Sequence, residues 1–254
     1  MNRRIRIGSR LGGLITAVFL ATAAVALAAV EELGITPAVS ATDSIASPDK
    51  VQRDEVHRSP FDDLPRGIKA TPYSIEGTSR QELSEAIRDS LGATLGASPD
   101  DHFGALTLSR YTFDTAGMPM LRRQEADDSC RCWASDSVAV TLDISIRYPL
   151  WTDMDACADS DLVDDWRTYL VGLYCHELGH VYIARAGLRE LTGRLNGIEI
   201  EAKAEDCSSA CLQAIESHYH QVEKTFFGIS EEISKHHQRY DLETAHGRSQ
   251  GARF

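Results

Sequence analysis

Residues 176–180 of this chain read His-Glu-Leu-Gly-His, and the run around them leaves little choice of fold. Side chains four residues apart share one face of a helix, so a helix here carries two imidazoles side by side with the Glu177 carboxylate next to them. At 100° per residue, Leu162, Trp166, Leu173, His176, Glu177, His180, Ala184 and Leu191 fall within about 60° of one line. The histidines and the glutamate therefore continue an apolar stripe, where an unpaired carboxylate is costly. A divalent ion and its water offset that cost. H-E-x-x-H on a helix is the pattern in which two histidines hold zinc and the glutamate serves as general base of a metallopeptidase. The helix is expected over about 162–195, capped by Asp-Ser-Asp at 159–161, with Asp164 and Asp165 suited to its positive end and a break at Asn196-Gly197.

A catalytic zinc takes three protein ligands and keeps one position open, and this motif supplies two of them. Residues 181–186 run Val-Tyr-Ile-Ala-Arg-Ala, without the third histidine that would mark a metzincin. Glu201 and Glu205 on a following helix, or His236, His237 and His246 near the C-terminus, are the remaining sources, and spacing alone does not choose among them.

The N-terminus addresses the chain for export. Arg3, Arg4, Arg6 and Arg10 precede an apolar run from Leu11 to Val30, and Ala-Val-Ala-Leu-Ala at 24–28 offers a cleavage site after Ala26 or Ala28. A run of about 20 apolar residues is also long enough to anchor the protein in the inner membrane uncleaved. Either outcome places the remainder outside the cytoplasm, periplasmic or secreted. Losing those arginines takes the formal charge from -12 to about -16, which disfavours nucleic acid and anionic membrane surfaces as partners and mildly favours cationic or neutral polypeptides, so that a polypeptide is the expected substrate. The six cysteines at 130, 132, 157, 175, 207 and 211 imply up to three disulfides in an oxidising compartment. Cys175 is expected to staple the motif helix to another element. Cys207 and Cys211, one helical turn apart, are expected to reach different partners rather than each other.

Residues 31–70, rich in Ser, Pro, Asp and Ala, are expected to form a disordered linker, followed by a single domain over 71–254. Tyr73–Gly77 and Phe103–Phe113 read as strands, and Ser79 with Glu82 reads as a capping box opening a helix to about Leu91. Val138, Val140, Leu142, Ile144 and Ile146 alternate with polar residues, a strand that Pro149 should stop. That strand is an ordinary sheet member or, at a sheet edge, a rail for a substrate strand. Helix is expected from Glu199 to about Tyr240. A small sheet followed by the motif helix and further C-terminal helices is an α+β fold.

Tyr73 to Gly77, Glu82-Leu83, Pro149-Leu150-Trp151 and the ending Tyr240-Asp241-x-x-Thr244-x-His246-Gly247 with Gln250-Gly251-Ala252 resemble the bacterial secreted zinc-dependent proteases catalogued as a domain of unknown function. The resemblance spans roughly residues 71–254 and implies a zincin-like metallopeptidase with Zn²⁺ as cofactor. Folded over the metal, the tail would supply His246 as third ligand, with Asp241 or Thr244 orienting its other ring nitrogen and Tyr240 donating to an oxyanion. His218, His220, His236 and His237 are then expected to be exposed helix residues. The alternative reading is an envelope protein that keeps the zincin fold for binding and has lost catalysis.

Overall fold

The computed structural model describes residues 16–20, 59–95, 104–115, 120–157 and 159–254. Except for 16–20, the expected export segment lies outside the described residues, as does the expected linker up to residue 58. In chain order the elements are β1 (Thr16–Leu20), β2 (Ile68–Ile75), α1 (Arg80–Leu95), β3 (Leu106–Thr115), β4 (Met120–Gln124), β5 (Cys130–Ser135), β6 (Val138–Trp151), α2 (Ser160–Leu195), β7 (Glu199–Ala204) and α3 (Cys207–Thr244). Four strands form one sheet in the order β1-β3-β6-β2, and three form a second in the order β4-β5-β7. The fold is α+β. Among the described residues no helix is long and apolar enough to cross a membrane.

The chain divides into two compact units. One comprises the described residues within 20–108, 144–182 and 235–254, the other those within 1–19, 109–143 and 183–234. In the first, β2 runs parallel to β6 with Tyr73 opposite Pro149 and Ile75 opposite Trp151. Pro149 therefore does not stop the strand: it forgoes a single N–H near the strand end, and pairing continues to Trp151. The Trp151 indole donates to the Gly77 carbonyl at 3.0 Å and its ring meets Trp166 edge-on. The unit begins earlier than residue 71. Ser59 caps a 3-10 turn over Pro60–Asp63 whose Phe61 is buried and stacked on Tyr148 at 4.3 Å, a burial that stabilises by about 1.5–3 kcal/mol. At the start of α1 the Glu82 N–H donates to the Ser79 hydroxyl, but the Glu82 carboxylate reaches back to the Thr78 N–H instead of closing the box on Ser79.

In the second unit β5 pairs antiparallel with both β4 and β7. Disulfides Cys130–Cys207 and Cys132–Cys211 join β5 to the start of α3. Residues two apart on a strand share a face at about 6.6 Å, and residues four apart on a helix rise about 6 Å, so the two bridges are matched rungs. They support a small core of Ala134, Ala210 and Ala214. Such bridges belong to proteins of oxidising compartments, the periplasm or the cell exterior. Two sequence expectations fail here. Residues 199–204 are strand β7, not helix. Cys175 staples nothing: it is exposed and free, as Cys157 is free. The alternative of a substrate rail finds no edge over residues 144–151, where β6 lies between β3 and β2 and pairs with β2.

Candidate metal centre

Every member of the stripe expected on α2, from Leu162 through His176, Glu177 and His180 to Leu191, is buried. Asp159 caps this helix, its carboxylate accepting from the N–H groups of Asp161 and Leu162 at 3.0 and 3.1 Å. The Nε2 atoms of His176 and His180 stand 3.3 Å apart, and Asp241 Oδ1, on the last turns of α3, lies 2.9 Å from the first and 3.2 Å from the second. Donor atoms about 2.0–2.1 Å from a tetrahedral zinc stand about 3.3 Å from one another. The triangle, with edges of 2.9–3.3 Å, is close to that size, and its donor set, two imidazoles and one carboxylate, would leave one position for water or substrate, as catalytic zinc requires. No other group of three His, Cys, Asp or Glu converges in this way among the described residues.

The outer contacts aim the rings. His176 Nδ1 meets Gln250 Oε1 at 3.0 Å and the Thr244 hydroxyl at 3.3 Å. Gln250 Oε1 only accepts, so a proton on Nδ1 fits this contact and is the tautomer that would offer the Nε2 lone pair to a metal. His180 Nδ1 lies 2.9 Å from His237 Nδ1. Burial, and then the neighbouring His180 ring, hold the His237 pKa down at about 3. His237 therefore stays neutral and accepts from His180, which again frees Nε2. Burial by itself would raise the Asp241 carboxyl, but in the metal-free centre the two imidazoles can donate to it from Nε2, and these hydrogen bonds outweigh burial and hold Asp241 below its ordinary range.

Glu177 is only 2% exposed, and its Oε2 accepts a hydrogen bond from the Thr107 hydroxyl on β3. With His176, His180, Asp241 and His246 it lines a cavity of about 10 Å³, on the order of one water-sized sphere.

Several sequence expectations are revised. His246, the expected third ligand, is outside the donor triangle: its Nδ1 is 4.0 Å from Asp241 Oδ1 and its side chain is 36% exposed. A left-handed turn at Ala245, His246 and Gly247 (φ 47°, 54° and 80°) carries it to the lip of the cavity. Asp241, expected to orient His246, is the residue whose donor atom lies beside those of His176 and His180. Tyr240, expected as an oxyanion donor, turns its hydroxyl to the His176 carbonyl at 3.2 Å and to the Gln250 side chain. Glu201 pairs with Arg131 at 2.7 Å and with the Trp133 indole, and Glu205 is exposed. His220 and His236 are exposed as expected, but His218 and His237 are fully buried. The missed signal is periodic: His218, Val222, Phe226, Ile229, Ile233, His237, Asp241 and Thr244 recur at intervals of three and four along α3.

Residues 70–247 match the family described as bacterial protein of unknown function, DUF922, and the chain belongs to it. The matched span contains both histidines of the motif, Glu177, Asp241 and His246. No curated protein and no solved structure matches the chain.

Proposed function

We propose that this member of a family of unknown function is an exported zinc-dependent peptidase in which His176, His180 and Asp241 hold the metal and Glu177 is the general base. The reading is carried by the convergence of three buried donors, close to the edge lengths of a tetrahedral site, on a cavity that also holds a buried carboxylate. A metal site built only for structure has no use for that fourth group.

Bound zinc supplies Lewis acidity, lowering the pKa of a water to about 7 and polarising the scissile carbonyl. The protein's own groups do the rest. Glu177 takes one proton from the attacking water as its oxygen bonds to the carbonyl carbon, then gives that proton to the amine nitrogen as the C–N bond breaks. Thr107 holds the carboxylate in one orientation through its hydroxyl. Gln250 and His237 hold the two ligand rings with their Nε2 atoms inward. His246, which faces the cavity from its lip, is placed to donate a ring N–H to the carbonyl oxygen as negative charge develops there.

The test is hydrolysis by the zinc-loaded full chain of a mixed peptide pool in ¹⁸O-labelled water. The reading requires new C-termini that carry the label and that do not form when a chelator is present. Absence of cleavage across a diverse pool by protein carrying one zinc per chain would leave a binding protein.

A further inference from the structure

A larger cavity of about 670 Å³ adjoins the metal centre and shares Gly104, Leu173 and His246 with it as walls. That volume is within the range of small-ligand pockets, about 300–1,000 Å³. Its floor is apolar, formed in part by the buried Ile87, Leu173 and Ala252. Its charged side chains are of one sign: Arg88 comes from α1, Arg248 and Arg253 from the C-terminal turn, and no Asp or Glu side chain is among the described residues that line it. This runs against a composition in which 38 acidic residues outnumber 26 basic ones.

The arginine-bearing segment is fastened in place. Arg253 Nε donates to the Arg248 carbonyl at 3.0 Å. Phe254 packs on Trp166 and Tyr169 with ring centroids 5.1 and 5.3 Å away. Gly172 on α2 lets the 251–252 backbone lie close, since a Cβ there would stand 2.4 Å from the Ala252 nitrogen. Guanidinium forks match carboxylates in bidentate geometry, and like charges against apolar walls concentrate the opposite charge.

We infer that this cavity binds the substrate peptide beside the bond to be cut and selects a peptide carboxylate, from an acidic side chain or from the peptide's C-terminus. That the ligand is a peptide rests on the peptidase reading; that it is anionic rests on the arginines.

The test measures anisotropy of labelled short peptides of one sequence on the full chain, with and without zinc. The peptides carry Glu or Gln at one position and end in an acid or an amide. The peptides bearing a carboxylate bind about tenfold tighter than the doubly neutral one, the size of one charged hydrogen bond. The arm that loses affinity identifies the source of the carboxylate. The preference persists without zinc and shrinks in Arg88→Glu, Arg248→Glu and Arg253→Glu, three exposed positions whose folding is checked by an unchanged melting temperature. Equal binding of neutral and anionic peptides, no binding of either, or a preference untouched by all three substitutions overturns the inference. If anionic peptides bind through the arginines but zinc-loaded protein never cuts them, the peptidase reading falls and the anion site stands. Cleavage without charge preference does the reverse.

Discussion

The Tyr240 ring lies flat against the His176 imidazole, with centroids 5.0 Å apart and planes within 6° of parallel, and its hydroxyl reaches the His176 carbonyl. Tyr240, expected from sequence as an oxyanion donor, lies as a plate against the His176 ring. Its closeness explains the glycine inside the motif: a Cβ on Gly179 would stand 1.9 Å from the Tyr240 oxygen and 2.1 Å from the ring carbon bearing it.

Gly179→Ala is accordingly expected to destabilise the protein. In an unconstrained helix interior the same change would stabilise by about 1 kcal/mol, but overpacking of this kind costs about 1–3 kcal/mol and falls here on the rigid body of a buried ring. A lower melting temperature with weakened zinc retention is the expected result, and a raised melting temperature would refute the contact.

His237→Ala removes the acceptor for the His180 ring proton. Zinc affinity should fall about 10- to 100-fold, the usual loss when the outer partner of a metal ligand is removed, with secondary structure by circular dichroism unchanged. A competitive zinc titration reads the difference, and wild-type affinity would show that His237 does not set the His180 tautomer.

Glu177→Gln keeps the shape of the side chain and its contact with Thr107 but cannot take a proton. Zinc content should stay at one per chain while peptide hydrolysis falls below detection. Cleavage at wild-type rate by the metal-loaded variant would remove Glu177 from the chemistry.

Much of this site was legible in the sequence, for a definite reason. The motif helix declared itself because its stripe mixes strong apolar side chains with functional ones at helical spacing, and all of them are buried. The same rule applied to α3 would have exposed His237 and Asp241, but the helix was expected to end at Tyr240 while it runs to Thr244, so Asp241 looked like part of a tail. Strand β7, Glu-Ile-Glu-Ala-Lys-Ala, is built from good helix formers and has no fully buried face, and β4 is exposed along its whole length. β4 carries no hydrophobic period to read, and the alternation of β7 rests on Ile200 and two alanines, residues a helix accepts as well. Their place is set by pairing with β5, which is tertiary information.

The disulfide ladder was half legible, since Cys207 and Cys211 do take separate partners. Closing a loop with ends 77 residues apart contributes about 4 kcal/mol in the chain-entropy account. The second rung adds little, because the first has already closed nearly the same loop. Removing one bridge, as Cys132→Ser with Cys211→Ser, should therefore cost far less in urea denaturation than reducing both. Equal costs for one bridge and for two would contradict the argument. Cys175→Ser should change neither stability nor the number of bridges by mass.

The central claim is that Asp241 and not His246 completes the metal centre. Zinc per chain, by elemental analysis of the full-length protein beside its Asp241→Ala and His246→Ala variants, tests it most directly. One zinc in the wild type and in His246→Ala, and none in Asp241→Ala, is the predicted result. Zinc lost from His246→Ala but retained by Asp241→Ala, or a folded wild type that takes up no zinc at all, would contradict it.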